Sequence, residues 1–170
     1  MKSVLPDQDD KDRKGGAQMS GISIRLATIE DVPVVHSMLT KLEKMLGATA
    51  LVKRREEDLR RFGFSDTPCF QVLIAWRGGE AVGMALYFKE FSTWKGVAGV
   101  YVQDLFVSAG VRGMGLGSML MTAVYEQARE WDASYCKLTV HDGNDGALAF
   151  YKRLGFRVTG NENVMVRDEF

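Results

Sequence analysis

Ile22, Ile24 and Leu26 alternate with polar or small neighbours, the pattern of a half-buried strand. Thr28 and Asp31 then offer helix caps, Pro33 fits a first helical turn, and Val35, Leu39, Leu42 and Met45/Leu46 recur at helical spacing. A second short helix fits Arg55 to Phe62. Its Arg/Glu-rich side (Arg54, Arg55, Glu56, Glu57, Arg60, Arg61) reads as a solvated face. From Cys69 the pattern turns to strands. Phe70–Arg77 and Glu80–Phe88 flank Gly78-Gly79, a hairpin signal because such turns require positive φ, and Val100–Val107 is a third strong strand. A helix is predicted from about Gly115 to Trp131, with Leu116, Leu120, Val124, Ala128 and Trp131 on one face. Tyr135–His141 is strand-like, Asn144–Leu154 helical with Gly155 just past its end, and Val164–Arg167 a short last strand. The order β-α-α-β-β-β-α-β-α-β predicts an α/β (α+β) fold, a mixed and largely antiparallel sheet flanked by helices.

Residues 1–20 fall outside this pattern. They are almost all polar, with a mixed charge run from Asp9 to Lys14, and read as a flexible tail before one domain over 21–170. Lys plus Arg is 22 and Asp plus Glu is 22, so the net charge is zero, which argues against a nucleic-acid binder with a broad basic face. Cys69 and Cys136 stand far apart with no Cys/His ligand spacing, so neither a metal site nor a disulfide is expected. The same usage points to a reducing, cytoplasmic setting. No apolar run approaches the ~18–20 residues of a membrane span, and none resembles a signal peptide.

Tyr101–Ser118 carries the most chemistry. A strand runs into Arg112-Gly113-Met114-Gly115-Leu116-Gly117-Ser118, which opens an amphipathic helix. A helix N-terminus presents unpaired N–H groups and partial positive charge, and alternate glycines let a diphosphate approach them. Arg112 adds a guanidinium at the same end. The P-loop is excluded because no Gly-Lys-Ser/Thr follows, and the dinucleotide fingerprint because no third glycine falls at the required spacing. A Gly-rich turn with no ligand is the plain alternative. In the second segment Asn144 and Tyr151 lie seven residues apart, two helical turns, and so on roughly one side. Taken separately, Asn144 reads as an ordinary cap and Tyr151 as a core aromatic.

Together, Arg112-x-x-Gly115-x-Gly117 after a strand and Asn144-x-x-Ala147-x-x-Phe150-Tyr151-x-x-x-Gly155-Phe156 resemble the GNAT superfamily of acyl-CoA-dependent N-acyltransferases. The resemblance spans about residues 22–167 and implies a GNAT-like sheet. It implies that residues 112–118 hold the pyrophosphate of acetyl-CoA. It also implies that Leu105, Phe106 and Val107 bond the pantetheine through their backbone, and that Asn144, Ala147 and Tyr151 lie beside the cofactor. A narrower likeness joins Leu39–Met45, Asp58-Leu59 with Phe62-Gly63-Phe64, Thr93–Gly96 and Tyr101-x-x-Asp104-x-Phe106-Val107 to the diamine and spermidine/spermine N-acetyltransferase branch. That branch implies substrate contacts at Glu43, Trp94, Gln103 and Asp104, and a homodimer. Glu43 and Trp94 also read, more plainly, as an exposed helix carboxylate and a loop aromatic.

The strand motif of the branch normally reads Glu-Asp, whereas this chain has Gln103-Asp104. Gln103 cannot accept a proton, so the branch's base does not transfer. An alkylamine with a pKa near ~10.4 is almost wholly protonated at neutral pH, and only its neutral form attacks a thioester. Asp104, Glu43 or water must take that proton, and the resemblance gives Tyr151 the proton donated to the leaving thiolate. A backbone N–H near Phe106 is expected to stabilise the developing oxyanion. Adjacent strand residues point to opposite faces, so 103 and 104 reach one site only if the strand is bulged or splayed there. The expectation is acetyl transfer from acetyl-CoA directly to a small diamine, polyamine or amino-acid-like amine. The alternatives are acetylation of a protein N-terminus, a lysine or an aminoglycoside-like amine, or a non-catalytic acyl-CoA-binding module. His36 and His141 read as structural.

Overall fold

The computed structural model describes residues 21–47 and 53–160, which fall into two units divided after Leu138. In the first, strand β1 (Ile22–Leu26) leads through a tight turn into helix α1 (Val32–Leu46). Arg25 on β1 donates to both carboxylate oxygens of the buried Asp31, at 2.7 and 2.9 Å. The Thr28 backbone N–H donates to the same group at 2.8 Å. Asp31 therefore secures the turn, and it makes no side-chain cap on α1 itself, contrary to its spacing in the sequence. The Arg25 hydrogen bonds hold its carboxyl below the usual range in spite of burial. Helix α1 buries Val32, Val35, Met38 and Leu39, but Met45 and Leu46 are exposed. The apolar stripe outruns the core, so the last turn of α1 contributes little to it.

Helix α2 (Glu56–Gly63) buries only Leu59, as its charged composition predicts. Strands β2 (Gln71–Arg77), β3 (Glu80–Ser92), β4 (Val97–Val107) and β5 (Cys136–Leu138) complete a five-stranded sheet in the order β1-β2-β3-β4-β5. All pairings are antiparallel except β4–β5. Gly78-Gly79 forms the expected two-residue turn, with Arg77 opposite Glu80. Strands β3 and β4 run further than sequence alternation suggests, out to a Ser92–Val97 pair, and β5 is shorter than Tyr135–His141.

Helix α3 (Leu116–Arg129) buries Leu116, Leu120, Met121, Val124 and Ala128. It packs so close to β3 that a Cβ at Gly83 would lie 3.2 Å from Leu120 and 3.3 Å from Leu116, and the Phe106 carbonyl oxygen of β4 would be 2.9 Å away. Only glycine fits there. One main cluster joins α1 and Leu59 to Val72, Ile74, Met84, Leu86 and Phe106, the face of the sheet under α1. Trp131, expected on the α3 stripe, lies beyond the helix end and stacks on Tyr87 with ring centroids 6.3 Å apart. The second unit, over residues 139–160, is built on helix α4 (Asp145–Arg153). Asn144 caps it by accepting from the Ala147 N–H at 3.1 Å, and Tyr151 packs edge-on against Phe150 and Phe156. The 1–20 tail and the Val164–Arg167 strand lie outside the described residues.

Candidate active site

The β3–β4 ladder changes register at Gln103. Leu86 faces Asp104 and Tyr87 faces Val102, so Gln103 is an extra residue on β4 and is exposed. Residues directly opposite share a face, and neighbours on one strand take opposite faces. Asp104 thus joins Leu86 on the face covered by α1, while Val102 joins Tyr87 on the other. Without the bulge, Val102 and Asp104 would share a face and the carboxyl would leave the α1 side. The distortion implied by the Gln103-Asp104 pair is present.

Asp104 is half-buried, and burial raises its pKa above the ordinary carboxylate range. Arg54 opposes that rise and Glu43 adds to it, so all three charges sense one another. The Arg54 Nη1 donates to the Glu43 Oε1 in an ion pair whose side chains are only 20% and 16% exposed. Arg54 does not belong to a solvated face. It precedes α2 rather than lying on it, and its side chain turns inward to the last turns of α1. Its Nε and Nη2 atoms are buried and have no hydrogen-bond partner among the described residues. His36 approaches the Arg54 carbonyl oxygen at 3.4 Å, in keeping with a structural role.

Sequence reasoning missed Arg54 because it was grouped with Arg55, Arg60 and Arg61. Its place two residues before the helix, ahead of the Arg55 cap, was the available signal. Trp94 stands apart from these groups. It is fully exposed in the β3–β4 turn, and the seven residue steps from Val97 to Asp104 span roughly 23 Å of strand.

Strand β5 pairs with β4 only from Val100–Cys136 to Val102–Leu138. Among the described residues, β4 therefore has no strand paired along its β5 side from Gln103 to Val107. Ser108 donates to the Val82 carbonyl at 2.9 Å, which fixes the alternation of the β3–β4 ladder. Phe106 directs its N–H and C=O at Met84 on β3, whereas Leu105 and Val107 direct theirs to the open edge. The expected donor near Phe106 is thus Leu105 or Val107.

Beyond this edge, Gly115 at φ +86° caps α3 in the left-handed region, with no side chain closing the helix end. The first intrahelical donor is Met119, to the Gly115 carbonyl. The N–H groups of Leu116, Gly117 and Ser118 therefore lack partners inside the helix. Gly113 also has positive φ, and a Cβ there would meet nothing within 4 Å. Arg112 donates from Nε to the Val107 carbonyl at 2.9 Å, and its Nη2 lies 2.8 Å from the Met45 sulfur. The loop arginine is tied to the strand end and to α1. Asn144, Ala147 and Tyr151 belong to the second unit, where Asn144 and Ala147 share the cap described above.

Among the described residues no group of His, Cys, Asp and Glu is arranged to hold a metal, and no helix is long and apolar enough to cross a membrane. Residues 37–156 match the acetyltransferase (GNAT) family. A thialysine N-epsilon-acetyltransferase from Bos taurus is 34% identical over 145 residues, covering 81% of this chain and 85% of that protein. An L-methionine sulfoximine/L-methionine sulfone acetyltransferase from Pseudomonas aeruginosa is 27% identical over 142 residues, 81% of each chain. A solved aminoglycoside acetyltransferase from an uncultured soil metagenomic sample has a TM-score of 0.73 at 19% identity, covering 87% of this chain and 99% of that one. At that identity the likeness carries the fold.

Proposed function

Because this chain belongs to the acetyltransferase (GNAT) family, we propose that it moves the acetyl group of acetyl-CoA directly to the primary amine of a small molecule. The acceptor class is a diamine, a polyamine or an amino-acid-like amine, the kinds of substrate for which its relatives are named. The observation that carries this reading is the bulge at Gln103. It holds Asp104, a carboxyl of raised pKa, one residue from an open strand edge that leads toward a helix start with no side-chain cap.

The residues present fit acetyl-CoA. Leu105 and Val107 would bond the pantetheine arm along the open edge, and residues 113–118 would take the pyrophosphate on backbone N–H groups. When bound, the thioester supplies the acetyl group. The acceptor nitrogen must lose a proton before it attacks, and Asp104 takes that proton directly or through water. Its raised pKa makes it a stronger proton acceptor than an exposed aspartate. Attack by the neutral nitrogen would form the N–C bond, an N–H at Leu105 or Val107 would donate to the carbonyl oxygen as it gains charge, and return of that charge would break the C–S bond. Tyr151 returns a proton to the sulfur; this role rests on the family resemblance alone. A homodimer belongs to the same reading and is measured by light scattering.

A non-catalytic acyl-CoA-binding module is the second reading, and Gln103 in place of a glutamate favours it. The separating experiment follows thiol release and product mass with and without acceptor. Direct transfer requires stoichiometric N-acetyl product, with no acetylated protein when the acceptor is left out. A binding module releases no thiol.

A further inference from the structure

Resting on the amine-acetyltransferase reading, the structure assigns Arg54 as the residue that selects acceptors carrying a carboxylate in addition to the amine that is acetylated. Nη1 of Arg54 is committed to Glu43. The remaining Nε and Nη2 atoms form the side edge of the guanidinium, two parallel N–H donors that match the two oxygens of a carboxylate. Both atoms are buried and lack a hydrogen-bond partner among the described residues. Buried donors are normally paired, so an arginine held with this edge unmet is prepared for an anionic partner. The ion pair with Glu43 fixes the orientation of that edge.

Charge balance points the same way. Glu43 and Arg54 neutralise each other, which leaves Asp104 as the other carboxyl interacting with them. A polyamine carries several separated positive charges, and each one buried needs its own negative partner. An amino-acid-type acceptor is matched group for group. Its carboxylate takes the Arg54 edge, its α-ammonium takes Glu43, and its distal amine goes to Asp104 for deprotonation. Arg54 thus sets which amine is accepted, while Asp104 handles the proton.

The test compares acceptors that differ only by the carboxylate: L-ornithine with putrescine, and L-lysine with cadaverine. Wild-type protein is expected to favour the carboxylate-bearing member of each pair by tenfold or more in kcat/KM, mainly through KM. In Arg54→Gln and in the charge-retaining Arg54→Lys, the ratio is expected to fall toward one. A wild-type ratio near one, or one that favours the diamines, overturns the assignment without any variant having to fold. An unchanged ratio in both variants also overturns it. If none of the four is acetylated while spermidine or another primary amine is, the assignment fails and the amine-acetyltransferase reading stands; if no amine is acetylated, both fail.

Discussion

Asp104 stands opposite Leu86 in the β3–β4 ladder, a pairing that exists because Gln103 is accommodated as a bulge. That single extra residue turns the carboxyl to the face under α1, toward Glu43 and Arg54. It also coincides with the point where β5 leaves β4. The position that departs from the diamine-branch motif in chemistry is thus the one that shapes the strand.

The raised pKa of Asp104 makes a prediction about stability as well as rate. Burial is its main cause. A carboxyl whose folded pKa exceeds its unfolded value near ~3.9 contributes most stability below that value, and the contribution is lost as pH rises through the folded pKa. Asp104→Asn is therefore expected to melt higher than the wild type at pH 7, an advantage that shrinks as the pH falls toward 4. The same variant is expected to lose roughly 10²-fold in kcat/KM. Thermal melts across this pH range and amine kinetics check both halves. A variant less stable than the wild type at neutral pH would show that Asp104 is a structural anchor.

Gln103 is exposed on the bulge, so a glutamate there fits without repacking. Gln103→Glu is expected to add a base near the site, raising kcat/KM near pH 7 and moving the acidic limb of the pH profile downward. Repulsion between the new carboxylate and Asp104 limits the gain, because it raises the pKa of one of them. Superimposable pH profiles for the two proteins, measured with chemistry rate-limiting, would place proton loss elsewhere.

Most of the fold was legible because the strands alternate cleanly and the helices carry periodic apolar faces. Ile22–Leu26, the Gly78-Gly79 hairpin and the α3 stripe from Leu116 to Ala128 appear where the pattern puts them. The 3.6-residue period does not say where the sheet beneath a helix ends, so Met45 and Leu46 continue the helical spacing of α1 and yet are exposed. A bulge was inferred from the Gln103-Asp104 pair, but the open edge was not, since it depends on where β5 stops pairing. The burial of Arg54 was missed for a physical reason. Burial of an arginine depends on a partner eleven residues away, and local composition reports only its charged neighbours.

Cofactor binding at the α3 start is tested at Gly117 rather than Gly115. Gly115 has φ +86°, so any side chain there strains the backbone whether or not a ligand binds. Gly117 lies within α3, where valine is no worse a helix former than glycine. Gly117→Val is expected to keep or raise the Tm while weakening acetyl-CoA binding by tenfold or more, about 1.4 kcal/mol. Calorimetry on the folded variant checks this, and unchanged affinity would remove the pyrophosphate from this loop.

Tyr151→Phe removes the phenol and keeps the ring that packs against Phe150 and Phe156. If Tyr151 protonates the departing sulfur, kcat is expected to fall roughly 10²-fold with cofactor affinity largely retained. Near-normal turnover where chemistry is rate-limiting would return Tyr151 to a packing role.

The most direct test of the central claim is an acetyl-CoA turnover assay on an acceptor panel, with mass detection of product. The panel holds ornithine, lysine, putrescine, spermidine, an aminoglycoside and a peptide with a free N-terminus. The expected result is a mass gain of one acetyl group on small primary amines, released thiol matching product, and little or no product on the peptide. Tight acetyl-CoA binding with no acetylated product from any acceptor would contradict it and leave a binding module.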